Sequence, residues 1–375
     1  MSQAAILSAL GSTGVSSGFK NRVINGVFDV WQRGTSRTFL GSGQYLADRW
    51  GCAGYQNTAA QRVAISSAPV GLWSSYALRS SSSTTSEAAG GTRMSIDHKI
   101  ESINCADLAG QTITVSFWIK FSASTLSSVS NSGGGGNSSY GDFQSRVQYN
   151  TTSTDSAIYS DTGDGSCTTT AITGPTGSYN GGASFDITNG SFPITWTKCS
   201  YTCTVPSGVK NLMPRFTMTN LGSTASADTN YFDIAQVQLE VGTTPTEFER
   251  RSYGVELFMC QRYFQKTFPQ ATAPAQNTGL NGSCLVWNSS GSNNAYGTQV
   301  QWRLPVPMRT TPTVTYYNPA AANALARNSA IAADMTVYTS PVNPNGDSAI
   351  QMTIGDTASG PGHCCEIHVT VSAEL

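Results

Sequence analysis

The sequence predicts a mainly β protein: an N-terminal jelly roll or β-sandwich, a connector helix, then a smaller C-terminal β domain. Three observations carry the prediction. Apolar and polar residues alternate with a period of two in run after run, the pattern of half-buried strands. The runs are joined by Gly-, Ser- and Asn-rich stretches without helical spacers, so the strands belong to stacked or closed sheets rather than a parallel sheet wrapped in helices. One window, "RSYGVELFMCQRYFQK", breaks the alternation with helical spacing. The chain has 375 residues, enough for two or three units that each bury a core. The helix, 251–266, divides it into 21–250 and 267–375.

Taken in order, residues 1–20 start without positive charge and hold only a short apolar core, "AAILSAL". They read as an exposed leader or a short docking helix, since a secretory signal needs a basic flank and a longer apolar run. Residues 24–50, "INGVFDVWQRGTSRTFLGSGQYLADRW", concentrate two Trp, three Arg and two Asp in a chain only 11% charged. A catalytic site, a ligand platform and a structural clasp all fit that concentration. In "ITVSFWIKF", Ile113, Val115, Phe117, Ile119 and Phe121 share one face and Thr114, Ser116, Trp118 and Lys120 the other. In "WTKCSYTCTV", Cys199, Tyr201, Cys203 and Val205 form the apolar face. "YFDIAQVQLEVG" places Phe232 and Ile234 in one phase and Val237, Leu239 and Val241 in the other, as a β-bulge near Ala235 and Gln236 would.

Stretches 131–142 and 173–184 are too rich in Gly for regular structure and read as surface excursions able to carry ligand contacts. In the helix, Ser252 is the expected N-cap. Val255, Phe258, Met259 and Tyr263 form one apolar stripe, and Leu257, Cys260 and Phe264 a second. So wide an apolar surface calls for a second domain or a neighbouring subunit. Beyond it, Pro305, Pro307 and Pro312 delay the next strand to about Thr313, and Cys365, Ile367, Val369 and Val371 alternate in the last run.

Composition narrows the chemistry. A net charge of −1 with scattered Lys and Arg offers no basic face for nucleic acid. No apolar run approaches the roughly 18 residues that insertion in a membrane requires. Nine Cys match neither a disulfide framework nor a zinc pattern, and fit a reducing compartment. Cys199 and Cys203, on one strand, stand ~13 Å apart, too far for a bridge. "GHCCEIH" places Cys364, Glu366 and His368 on one strand face beside His363, but same-face residues ~6–7 Å apart are too widely spaced to hold one ion unaided. "DTGDGS" (161–166) opens like a calcium loop, yet has Gly163 and Gly165 where Asp or Asn belongs. The reading therefore includes no metal, no cofactor and no catalytic residue. No two acids are paired by the sequence, and no nucleophile elbow or phosphate-cradling loop occurs. Trp73, Tyr76, Tyr140 and Tyr179 are candidates for stacking on sugar rings, with Ser, Asn and Asp nearby to bond hydroxyls.

"INGVFDVWQRGTS" followed by "YLADRW" resembles the opening of many tailed-bacteriophage virion proteins, tail fibres or fibre-like decorations. In these, N-G-x-F-(D/E)-x-W-Q-R-G-T-S and A-D-R-W begin a β-sandwich like a carbohydrate-binding module. "ITVSFWIKFS", "WTKCSYTCTVPSG" and "FDIAQVQLEVGTTPTEFERRSYGVELFMCQRYF" resemble its inner strands, closing strand and connector helix. "RLPVPMRTTPTVT" and "VTVSAEL" resemble the small β domain that often follows. The two Cys of "WTKCSYTCTV" depart from the pattern, where polar or aromatic residues are more usual. Within this frame the 24–50 block is a clasp. Trp31 and Trp50 fill the core while Arg33, Asp48 and Arg49 tie the entering strand to the sheet, because a buried Arg needs an acid beside it. The resemblance implies a virion location, a homotrimer with other virion proteins as partners, and contact with host-surface glycan or an envelope receptor. Other roles to weigh are a purely structural head-fibre, decoration or baseplate protein, and a polysaccharide depolymerase.

Overall fold

A computed structural model describes residues 19–39, 44–55, 58–82, 92–123, 142–152, 155, 165–173, 185–187, 192–221, 231–287, 298–339, 345–355 and 362–375. In chain order its strands are β1 (Ser36–Phe39), β2 (Gln44–Tyr45), β3 (Trp50–Tyr55), β4 (Thr58–Ala64), β5 (Tyr76–Ser82), β6 (Thr92–His98), β7 (Thr112–Phe121), β8 (Asp142–Asn150), β9 (Gly165–Ser166), β10 (Thr168–Thr173) and β11 (Phe185–Ile187). There follow β12 (Thr197–Thr204), β13 (Asn211–Leu221), β14 (Tyr231–Val241), helix α1 (Tyr253–Gln261), β15 (Phe264–Lys266), β16 (Cys284–Trp287), β17 (Thr298–Arg303), β18 (Thr313–Tyr317), β19 (Ala326–Asn328), β20 (Ala333–Thr339), β21 (Ala349–Gly355) and β22 (Cys364–Ser372). The protein is mainly β, as the alternation predicts, with several antiparallel sheets and one short α-helix among the described residues.

The first sheet has the order β1-β4-β5-β14-β7-β12-β10 and the second β11-β8-β13-β6-β3-β2, with β9 beside β8. Side chains from both meet in one core. Ile113, Val115, Phe117, Ile119 and Phe121 of β7 point into it, as do Cys199, Tyr201 and Cys203 of β12. From the second sheet, the Phe216 ring lies 5.0 Å from Phe117 and the Phe143 ring 5.3 Å from Phe121, both edge-on. Along β14, Phe232, Ile234, Val237 and Leu239 are all fully buried. They stay on one face because the register against β7 shifts between Ala235 and Gln238, with Gln236 at φ 46°. A bulge inserts the residue that restores the phase.

The opposite face of β7 is not water-facing. Thr114, Ser116 and Trp118 are buried there, and Trp118 packs with Leu72, Ala77 and Ala235 in a second, smaller cluster.

The third sheet runs β15-β22-β19-β20-β21-β17, with β16 and β18 also on β22. Strand β22 is its axis. Ser372 pairs with both Phe264 and Thr313, and Glu366 with both Leu285 and Arg327. Its alternate residues Cys365, Ile367, Val369 and Val371 join Ile350, Met352 and Met335 in a separate core. The strand after the prolines begins at Thr313, as expected.

Two elements differ from the sequence reading. The 24–35 block is not an entering strand: Asn25 and Phe28 take positive φ, 56° and 59°, and fold it into a turn-rich knot. The helix ends at Gln261, because Phe264–Lys266 leave it to pair with β22. Ser252 occupies the N-cap in extended geometry, but its hydroxyl makes no cap bond. Its carbonyl instead accepts from Val255 and Glu256 N–H.

Candidate functional site

The 24–50 block builds a polar knot from its backbone outward. Asn25, held at positive φ, donates from Nδ2 to the carbonyls of Val30 (2.9 Å) and Asp48 (3.0 Å), and its Oδ1 accepts from Val30 N–H. Gly26 is required by contact: a Cβ there would lie 2.2 Å from the Val237 carbonyl oxygen, while Val237 N–H donates to Gly26 O at 2.9 Å. Trp50 is fully buried between Phe28 and His98, and its indole N–H donates to Asn25 O at 3.0 Å. Trp31, also buried, donates to the Phe28 carbonyl.

The charged members converge on Glu374, over three hundred residues away in sequence and 341 positions from Arg33. Arg33 bridges Asp48 (3.3 Å) and Glu374 (2.9 Å), its guanidinium 3.8 Å from the Phe264 ring centroid. Arg49, fully buried at φ 70°, pairs with the other Glu374 oxygen and lies 3.4 Å over Tyr263. Asp48 accepts from Gln32 N–H (2.6 Å) and Gln32 Nε2 (2.9 Å) as well as from Arg33. Burial pushes its carboxyl up from the usual range, against the pull of Arg33 and the two Gln32 donors. Lys99 Nζ (2.7 Å) and Tyr45 Oη (2.9 Å) both donate to Leu375 O. The tie therefore runs from the sandwich to Glu374 and Leu375, just beyond β22 of the third sheet, rather than only from an entering strand to its own sheet. Each buried cation has an acid or carbonyl partner, which is what burial in a low dielectric demands.

Helix α1 belongs to the same junction. Buried Glu256 accepts from Asn25 N–H (2.8 Å) and pairs with Arg251 (3.0 Å). Tyr263 and Phe264 are buried by the chain itself, and Leu257 and Met259 pack on Ile24, Val30, Cys260 and Tyr263. Only Val255 and Phe258 of the two sequence stripes are exposed, so most of the apolar surface that seemed to call for a neighbour is covered internally.

Of the four aromatic candidates, Tyr140 and Tyr179 lie outside the described residues. Tyr76 is half-buried with the Arg62 guanidinium 4.4 Å from its ring centroid, which blocks that face. Trp73 is 40% exposed. Phe248 meets its ring edge-on at 5.5 Å, and Arg250 stands 4.9 Å from its centroid. Gln236, the bulge residue, holds the loop beneath: its Oε1 accepts from Trp73 N–H (2.6 Å) and Ser74 N–H (3.1 Å), and its Nε2 donates to Gly71 O. Trp73 and Tyr76 thus have separate surroundings and do not form one platform. The Trp73 patch joins a flat apolar ring to a cation, a composition suited to stacking and hydroxyl bonding. Arg250 also acts on Asp29, whose carboxyl is raised by burial against the pull of that guanidinium.

The "GHCCEIH" residues have partners of their own. His368 stacks on Phe268 at 4.0 Å, and its Nδ1 and Nε2 meet Thr267 Oγ1 and Gly279 O. Glu366 accepts from Ser329 and, at 3.6 Å, from Cys364 Sγ. No group of metal-ligating side chains occurs among the described residues. Only the Gly165–Ser166 end of the calcium-like loop falls within them. All nine Cys are free thiols, and burial pushes the Cys199 thiol up to about 12. No described helix is long and apolar enough to cross a membrane.

Sequence reasoning missed Glu374, whose partners are remote in the chain, and Trp287, which is 64% exposed on β16. In "CLVW" both phases of the strand are apolar, so alternation could not mark the outward one.

No family model and no curated protein matches this sequence. Among solved structures, the enzymatically active domain of tailspike protein 4 of bacteriophage CBA120 is similar at 12% identity and a TM-score of 0.33, covering 60% of this chain and 22% of that one. The module TmCBM61 in complex with β-1,4-galactotriose is similar at 8% identity and a TM-score of 0.28, over 60% of this chain and 100% of that one. The C-terminal family 22 carbohydrate-binding module of Clostridium thermocellum Xyn10B is similar at 14% identity and a TM-score of 0.27, over 57% of this chain and 98% of that one.

Proposed function

We propose that this protein is a non-catalytic, glycan-binding component of a tailed-bacteriophage virion, a tail fibre or fibre tip that attaches to the host envelope. The observation that carries the binding role is Trp73. Trp73 is 40% exposed on a loop whose backbone Gln236 fixes with three hydrogen bonds, and with Arg250 over one face of its ring the opposite face is the one offered to a sugar. The virion setting rests on the resemblance of the 24–50 block and the strands after it to phage fibre proteins. Self-association, as a trimer beside other virion proteins, would multiply weak contacts by avidity. The buried acids of the junction are engaged with Arg, amide or hydroxyl donors, which favours binding over hydrolysis. The test is adsorption of purified protein to host cells and to an array of envelope polysaccharides, with Trp73→Ala alongside. Binding that falls at least ten-fold in the variant, at unchanged unfolding midpoint, supports the reading. Wild-type protein that binds neither cells nor glycans contradicts it.

A purely structural decoration or baseplate protein is the second reading. It is favoured by the clasp, since the side chains of the most distinctive sequence block are spent on internal bonds. Labelling the protein on intact particles separates the two: a position away from any host-contacting tip favours the second.

A further inference from the structure

We propose that the outer face of the third sheet around Trp287 is a second carbohydrate-stacking site, one that takes a neutral hexose unit of a polysaccharide. The inference rests on the glycan-binding reading above and adds a place and a ligand charge class to it. In β16, Trp287 lies opposite Cys364 and Leu285 opposite Glu366, while on the other flank of β22 Arg327 lies opposite Glu366 and Asp334 opposite Arg327. Directly opposed residues in antiparallel strands share a face. One side of the sheet thus carries a row of Leu285, Glu366, Arg327 and Asp334, with Trp287 one step along. The other side carries Cys365 and Ile367 into the core.

Trp287 is 64% and Leu285 52% exposed. Their neighbours are fixed polar groups. Glu366, 7% exposed, accepts from Ser329 and Cys364, and Arg327 pairs with Asp334 at 3.1 Å. Asn323 and Asn318 also donate to Asp334, at 2.8 and 3.0 Å, and hold its carboxyl below the usual range.

The occupant follows from size and charge. Two exposed apolar side chains offer on the order of 200–300 Å², well short of the ~800 Å² per partner that a stable protein interface buries. That area suits one flat ring. The single cation of the row is already paired and two carboxylates accompany it, so an anionic ligand finds no excess positive charge. A neutral sugar presents C–H groups to the indole and hydroxyls toward exposed Ser329 and half-buried Arg327, which stand two strand spacings, ~10 Å or more, across β22 from the ring's strand position, while buried Glu366 holds Ser329 in place.

The experiment uses the full chain in affinity electrophoresis through gels containing dextran, yeast mannan, a β-1,4-galactan or a mixed-linkage β-glucan. Retention is compared for wild type, Trp287→Ala, Trp287→Phe and Trp73→Ala, with sedimentation and unfolding midpoints for each. The expected result is a shift of wild type in at least one gel that falls five-fold or more in Trp287→Ala and recovers in part in Trp287→Phe, at unchanged midpoint. Retention of Trp287→Ala equal to wild type overturns this site and leaves the Trp73 reading standing. A Trp287→Ala chain that changes sedimentation but not retention assigns the face to self-association and also overturns it. Absence of wild-type retention in every gel, together with no binding to host polysaccharide, overturns both.

Discussion

At the scale of single residues, the molecule is organised by side chains whose partners are remote. Arg49 is fully buried, and Glu374 neutralises it. Replacing Glu374 by Gln leaves the guanidinium with an uncompensated charge, and breaking a buried pair from one side costs about 3–5 kcal/mol. The urea midpoint of Glu374→Gln is therefore expected to fall well below wild type; a change within error would mean that the pair contributes little. Gly26→Ala probes the backbone contact. Its Cβ would sit 2.2 Å from Val237 O, so the chain must move, at a cost of about 1–3 kcal/mol. Chemical denaturation measures that as well. Arg33, Asp48 and Arg49 were legible in the sequence as groups needing partners. Glu374 was not, because no local pattern announces a contact across more than three hundred positions. The positive φ of Phe28 was equally hidden, since nothing in a phenylalanine signals left-handed backbone.

At the scale of elements, the strands were legible because burial on one face imposes a period of two, and the bulge because it breaks that period. The end of α1 was not: Tyr263 and Phe264 continue the helical stripe, but main-chain pairing with β22 claims the segment. The bulge bears on the proposed binding role, since Gln236 bonds the backbone of the loop that carries Trp73. Gln236→Ala is expected to weaken glycan binding several-fold while Trp73 itself remains, measured by the same array; unchanged binding would detach the loop from the site.

Strand β6 ends in His98, whose Nε2 accepts from Ile24 N–H at 3.1 Å, so the neutral ring carries its proton on Nδ1. Burial holds its pKa well below 6.5, with Arg49 adding to the effect. A depressed folded pKa means that the unfolded chain binds the proton first. The contribution of the neutral ring is complete above pH ~6.5 and is lost as pH falls from there toward the folded value, by at most about 1.4 kcal/mol per pH unit. Asp48, Asp233 and Glu256, raised by burial, act with the opposite sign at more acidic pH. The stability difference between wild type and His98→Gln is expected to shrink between pH 7 and 5 in urea titrations; a constant difference would contradict the assignment.

At the scale of the whole molecule, two cores are joined through α1, β15 and the residues around Glu374. Arg309 reinforces the junction, donating to Ala373 O at 3.0 Å and pairing with Asp155 at 3.5 Å. What faces outward is different in kind: isolated aromatic rings among fixed polar groups. On the proposed function, this surface holds sugar without transforming it. The most direct measurement incubates the intact protein with purified host polysaccharide and follows both the bound fraction and the appearance of reducing ends. The expected result is saturable retention with the polymer recovered at its original length. New reducing ends, or no retention at any concentration, would contradict the claim.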